Sequence, residues 1–367
     1  MAGARKVRNG TIDLVKFLMT MLVMVYHTFR FFPGGYIAVD FFFLVSGFLM
    51  AKSMRRSLGY DIYERALGRE TIGFVLHRAG GIFPYYLVAW VMGFVTTAVI
   101  KNLGSQEIID TLIMSPYNLF MVEMAGNYDM GYRIQGSWYI SALLIAILVI
   151  YPVRRKWPNV FDSIIAPLLG LFFVGLVYQN GYGVSSLVVG YDENLHVYGG
   201  VIRGVVEMSL GCSCYRLCCN IEQINFKPFA RLLISVVEWG GYAFAVLCTW
   251  HVGQTNLDLI LIPIFALSII LSFSGKGLLA GIFKFRLFSA LGEFSLCMYL
   301  THELIKNVVI INCFSSFVVD NTKFFLLYFE LTLLAAFICH FTGKLLVLIC
   351  RALRPTLRAA MTYQDRI

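Results

Sequence analysis

Ten apolar runs, at 12–30, 36–53, 72–100, 137–153, 162–180, 199–217, 230–250, 256–273, 287–312 and 324–350, limit this chain to very few folds. Their lengths suit helices that cross a hydrocarbon core about 30 Å thick. The alternating ten-residue pattern of an outer-membrane barrel is absent. With 59% hydrophobic and only 14% charged residues, the chain falls outside the composition of soluble domains. The sequence therefore predicts an all-α membrane protein, a bundle of about ten transmembrane helices.

Charge placement orients that bundle. The basic residues gather at Arg5 to Arg8, Lys52 to Arg78, Arg154 to Lys156, Arg216 to Arg231, Lys276 to Arg286 and Lys344 to Arg366. These are alternate connections, as the preference of Lys and Arg for the cytoplasmic side requires when both termini are cytoplasmic. The same distribution accounts for the net charge of +9 without nucleic acid, because no basic patch is interleaved with stacking aromatics. Residues 1–350 are expected to form one transmembrane domain and 351–367 a basic cytoplasmic tail. Arg5, Lys6 and Arg8 precede an apolar run with no small-residue cleavage site, so that run is expected to stay as the first helix. The nine cysteines lie mostly within or at the ends of the predicted spans. Neither a disulfide framework nor a metal site is expected from them.

Ionisable groups at membrane depth cost at least a few kcal/mol each, so those inside the runs call for a use. Lys16 and His27 are eleven residues apart, which places them on nearly one helical face and about 16 Å apart along it. One reading has Lys16 reaching the interface with Asp13 as partner; the other has it bind a ligand. The turn at Pro33-Gly34-Gly35 returns Asp40 to a depth close to that of His27. There Asp40 can orient the imidazole for acid–base work, cap its own helix, or do both. Ser295, Tyr299 and His302 share one stripe at i, i+4, i+7, beside Glu303, and suit the wall of a polar cavity. Asn127, Tyr128, Asp129, Arg133, Gln135 and Trp138 offer the hydrogen-bonding and stacking groups that sugars need. Arg203 and Glu207 are expected to neutralise each other, and the nearby Gly200, Gly204 and Gly211 to allow close helix approach.

These residues resemble the acyltransferase 3 family of integral membrane O-acyltransferases, which modify sugars and polysaccharides. The resemblance is strongest at Ile12-Asp13-Leu14-Val15-Lys16, followed after ten intervening residues by His27, and through Val39-Asp40-Phe41-Phe42-Phe43-Leu44-Val45-Ser46-Gly47-Phe48-Leu49. It continues at Arg78 to Phe83-Pro84-Tyr85, at Ser137-Trp138-Tyr139 with Tyr151-Pro152, and at Ser295-Leu296 to Tyr299-Leu300-Thr301-His302. Lys16 stands where many members have arginine, and Gly81 where a second arginine often precedes the proline, leaving Arg78 as the surviving charge of that loop. No esterase-like domain is expected after the last helix.

The resemblance implies transfer of an acetyl or other short acyl group from acyl-CoA, usually acetyl-CoA, to a hydroxyl of a sugar, polysaccharide or lipid-linked glycan, with no metal. His27 would act as general base or acyl carrier with Asp40. Lys16 and Arg78 would hold the donor phosphates, helped by Lys52, Arg55 and Arg56. Tyr299, His302, Ser295, Trp138 and Asp13 would bind substrate. The expected setting is the bacterial cytoplasmic membrane, with lipid around a multi-pass chain. The alternative is a polytopic transporter or flippase in which His27, Asp40 and His302 form a proton relay.

Overall fold

The computed structural model describes residues 8–28, 32–54, 64–126, 131–181, 183–184, 191–192, 197–251, 253, 255–314 and 321–364. Its main helices are α1 (Gly10–Thr28), α2 (Ala38–Met54), α3 (Glu64–Ile100), α4 (Ser105–Met114), α5 (Trp138–Lys156), α6 (Ala166–Asn180), α7 (Gly199–Glu222), α8 (Pro228–His251), α9 (Leu261–Ser274), α10 (Arg286–Leu304) and α11 (Asn321–Gln364). Among the described residues, strand pairing is confined to a two-residue antiparallel ladder, Tyr191 with Tyr198 and Asp192 with Val197. The protein is an all-α membrane bundle.

Nine helical segments among the described residues are long and apolar enough to cross a membrane. They coincide with nine of the ten expected runs. The tenth run is α7, whose 24 residues span about 36 Å. Arg203, Glu207, Arg216 and Glu222 dilute its apolar character, and the first two are fully buried. In contrast, α6, α8 and α11 expose large apolar side chains such as Phe172, Phe229 and Leu345, as surfaces solvated by lipid tails do. The ten-residue α4 has no buried residue and exposes Ile109, Leu112 and Ile113.

The chain divides into two compact units: Met1–Val75, Phe120–Asp129 and Gly136–Leu296 form one, and Leu76–Leu119, Met130–Gln135 and Cys297–Ile367 the other. In the first, α2 and α7 approach until backbone meets backbone. A Cβ on Gly47 would collide with the Met208 carbonyl, and one on Gly211 with the Leu44 carbonyl. The close approach lets Cys212 Sγ donate to the Gly47 carbonyl at 3.4 Å. Phe48 stacks on Phe273 of α9 at 3.9 Å, and Arg154 makes a buried two-point bond to Asp162, with both contacts at 2.8 Å. In the second unit, a Cβ on Gly343 of α11 would meet the Tyr85 ring of α3. Cys339 Sγ donates to the Tyr85 carbonyl at 3.3 Å, and the Tyr86 hydroxyl donates to the Asn118 carbonyl at 2.7 Å.

Gly211→Ala should therefore destabilise the first unit by about 1–3 kcal/mol, the usual cost of overpacking. Gly240→Ala, in α8 where an added Cβ meets nothing within 4 Å, should be neutral or slightly stabilising. Thermal midpoints of the two purified variants in one detergent check the contrast.

Candidate active site

Asp13 anchors the N-terminal end of α1. It is buried, at 3% exposure, and Arg8 donates to both of its oxygens at 2.8 and 2.9 Å while reaching Glu293 at 2.6 Å. Ser289 Oγ adds a longer bond to Asp13 at 3.4 Å. Gly292 of α10 leaves room for this, because a Cβ there would sit 2.7 Å from the Asp13 carboxylate. Lys16 Nζ lies 3.9 Å from Asp13 Oδ1, one turn along the same face. A carboxylate so enclosed holds Arg8 and Lys16 in place.

At the far end of α1, His27 lies in the last turn, half-buried beside the Tyr26 ring at 4.9 Å. The chain then turns through Pro33-Gly34-Gly35. The Gly34 N–H donates to the Thr249 carbonyl at 3.0 Å, and a Cβ on Gly35 would press on Tyr26, so the turn packs tightly against α1. Tyr36 follows, with its hydroxyl donating to Asp258 at 2.6 Å.

Asp40, in the first turn of α2, is held by Arg203 of α7. Arg203 Nε donates to Asp40 Oδ1 at 2.6 Å and to Glu207 Oε1 at 3.1 Å, and Nη2 donates to the Tyr36 carbonyl at 3.2 Å. Nη2 also pairs with Asp40. Among the described residues, the hydrogen-bonding partner of Asp40 is thus Arg203 and not His27. The three side chains are fully buried, with two carboxylates against one guanidinium. Asp40 Oδ2, Glu207 Oε2 and Arg203 Nη1 have no hydrogen-bond partner among the described residues. Trp138, the expected stacking surface for a sugar, is 8% exposed and lies under this guanidinium at 5.9 Å. The sequence signal for the cluster was available: a buried arginine with one acid four residues on invites a search for a second acid in another apolar run.

In the second unit, the last turns of α10 present Tyr299, His302 and Glu303; Ser295, earlier on the helix, bonds the Gly292 carbonyl at 3.1 Å. His302 Nδ1 lies 2.6 Å from the Tyr299 carbonyl oxygen. A carbonyl can only accept, so Nδ1 carries the proton and Nε2 is the basic nitrogen of the neutral ring. That nitrogen faces Glu303 Oε1 at 3.9 Å. Beyond Leu304 the helix widens into a π turn at Ile305–Ile310, a distortion frequent at functional sites.

Against this turn lies a cavity of about 190 Å³ whose polar lining includes Lys101, Tyr132, Arg133, Gln135, Glu303 and Asn307. Asn307 Nδ2 donates to both Gln135 and Glu303. The loop that closes it is clamped: Tyr132 N–H donates to Ser115 Oγ at 2.8 Å, and its carbonyl accepts from Trp90 Nε1 at 3.2 Å. Gly93 leaves the groove that the Tyr132 phenol fills. Burial pushes the Tyr132 hydroxyl up to about 12, so it is neutral at pH 7. Arg78 is half-buried on α3 in the same unit. Arg55 and Arg56, and Asn127, Tyr128 and Asp129 of the expected sugar rim, lie outside the described residues.

The profile of an acyltransferase domain matches residues 9–341, nearly the whole chain. The chain belongs to the acyltransferase 3 family. It is accordingly a multi-pass membrane acyltransferase, and α1 with its turn, α2, α7 and α10 all fall within the family match. No curated protein and no solved structure matches the chain. In this acyltransferase, sequence reasoning singled out Gln135, Arg133 and the α10 stripe. It missed Lys101 and Asn307, which carry no local pattern.

Arg203→Met strands two buried carboxylates and should cost about 3–5 kcal/mol, as breaking a buried ion pair does. Adding Asp40→Asn should restore a substantial part of that loss. Folded yield and thermal midpoint of the single and double variants measure the coupling.

Proposed function

We propose that this acyltransferase moves an acetyl or other short acyl group from acyl-CoA to a hydroxyl of a sugar or glycan, with His27 as the general base. The observation that carries the reading is α1: one continuous helix with Lys16, fixed by Asp13, toward one end and His27 about 16 Å further along nearly the same face. The alternating basic connections support a cytoplasmic N-terminus. That puts Lys16 on the side where acyl-CoA is made and His27 toward the opposite side of the membrane.

In this reading Lys16 and Arg78 are point charges for the donor phosphates. His27 takes the proton of the acceptor hydroxyl as its oxygen attacks the thioester carbonyl. The new C–O bond forms, the C–S bond breaks, and the coenzyme A thiolate leaves and takes that proton from the His27 imidazolium, which restores the base. Asp40 is tied to Arg203, so its part is to fix the start of α2 and the field around it, not to touch the imidazole. Tyr299, His302 and Ser295 of α10 are assigned to the acceptor.

The test is transfer of radiolabelled acetyl from acetyl-CoA by purified protein in lipid, together with mass spectrometry of surface glycans from cells with and without it. His27→Ala should lower turnover by roughly 10²–10⁴ with normal accumulation in the membrane. Lys16→Ala should raise KM for acetyl-CoA about tenfold and leave kcat closer to normal. Wild-type transfer rates in His27→Ala would remove it from the role of base. A transporter would transfer no acetyl at all.

A further inference from the structure

We propose that α4 lies in the lipid–water boundary of the membrane, with Ile109, Leu112 and Ile113 turned into the acyl chains, and that this seating holds the loop that lines the cavity of the second unit. Helix and loop belong to the same unit. From Ala79 to Ile100, α3 carries no charged residue, a stretch about 33 Å long at 1.5 Å per residue. That length fills a hydrocarbon core about 30 Å thick. The last turns of α3 expose Val91, Val95 and Val99, one stripe at i, i+4, i+8 that faces lipid.

The chain bends where α3 leaves the core. Asn102 takes a left-handed φ of 51°, the Leu103 N–H donates to the Ala98 carbonyl at 3.0 Å, and the Asn102 N–H donates to the Val99 carbonyl at 3.2 Å. These two bonds around a left-handed residue stop a helix. The Gly104 N–H donates to Glu107 Oε2 at 2.8 Å and starts the next one. Only Lys101 to Gly104 separate the two helices, so α4 begins near the depth at which α3 ends.

α4 is divided lengthwise. At about 100° per residue, Ile109, Leu112 and Ile113 fall on one side and Gln106, Glu107 and Asp110 on the other. Gln106 Nε2 donates to Asp110 Oδ1 at 2.9 Å across the polar side. No residue of α4 is buried, so the protein covers neither side, and a helix of this kind settles with its apolar side in the acyl boundary. Tyr117, exposed just beyond it, is an aromatic of the type such boundaries favour. A second copy of the chain suits the surface less well, because one side of a ten-residue helix falls far short of the roughly 1,200 Å² that stable interfaces bury. The lipid-facing stripe of α3, in contrast, ends one short link away. With no Lys or Arg in α4, apolar area holds it and not attraction to anionic lipid.

The seating reaches the cavity through the end of the helix. Gly131, at φ 73°, comes so close that a Cβ would lie 2.6 Å from the Met114 carbonyl oxygen, and the Tyr132 N–H donates to Ser115 Oγ at 2.8 Å. Tyr132 to Gln135 line the cavity. A shift of α4 in the lipid therefore moves the lining.

The experiment uses the full chain in phosphatidylcholine nanodiscs, with a photoreactive benzophenone amino acid placed singly at Ile113, at Gln106 or, as a lipid-facing control, at Phe172 of α6. After irradiation, mass spectrometry should find lipid adducts at Ile113 within about twofold of those at Phe172, and few at Gln106. Adding phosphatidylglycerol to the discs should not raise the yield. An Ile109→Asp/Ile113→Asp variant carrying the probe at Leu112 should lose the adduct that Leu112 gives in the parent chain. In the same variant without the probe, the Tyr132 amide should exchange its hydrogen about tenfold faster, as a loosened local segment does. Gln106→Glu, on the polar side, should leave that exchange unchanged. If the double variant does not accumulate, Ile113→Gln alone should give a smaller rise in the same direction.

An Ile113 probe that yields no lipid adduct while Phe172 does would overturn the proposal. Adducts to a second protein chain would assign the surface to self-association, and a yield that grows with phosphatidylglycerol would assign it to electrostatic attraction; either overturns it. Unchanged exchange at Tyr132 in a variant that has lost its lipid adduct would sink the link between the helix and the cavity.

Discussion

The pairing of Arg203 with Asp40 and Glu207 ties α2 to α7 where all three side chains are fully buried. A buried ion pair is weak as a source of stability, since desolvation offsets most of its attraction, but it is unforgiving of misalignment. Any slip of α7 along α2 would strand a guanidinium between apolar side chains. Gly47 and Gly211 bring the helix backbones close, and the charges set their register. The same guanidinium bonds the Tyr36 carbonyl and covers Trp138. The turn after α1 and the start of α5 therefore depend on it as well.

This arrangement bears on how His27 is presented. The turn from α1 into α2 is fastened at Gly34 by the Thr249 carbonyl, at Tyr36 by Asp258 and at Asp40 by Arg203. The last turn of α1, which carries His27, is thus held by a scaffold drawn from α7, α8 and the turn before α9. At the other end of α1, Asp13 is enclosed by Arg8, Lys16, Ser289 and the groove at Gly292. A helix clamped at both ends keeps a cation and an imidazole at a set separation, which is what positioning two reacting partners demands.

The second unit uses other means. Its polar cavity depends on a π turn and on a short loop held by Ser115 and Trp90, with Asn307 joining loop to helix. Such a site needs a departure from regular helix, because widening the backbone displaces the side chains that follow from the stripe that precedes them. His302 meanwhile has its tautomer set by the carbonyl three residues back, a local consequence of helical geometry.

Much of this was legible in the chain. Apolar run length determined the helices, and the 3.6-residue period put Lys16 with His27 and Tyr299 with His302, because both are local properties of a helix. The polar character of α7 was visible too, as was the need of Arg203 for acidic partners. What the tertiary structure alone decided is which partner each group has. Asp40, expected beside His27, is held by an arginine 163 positions away, and Gln135 meets an asparagine 172 positions away. Burial cost tells a sequence reader that a charge must be paired. Only the register of packed helices says with what, since it follows from the sum of many side-chain contacts and not from the spacing of any two residues.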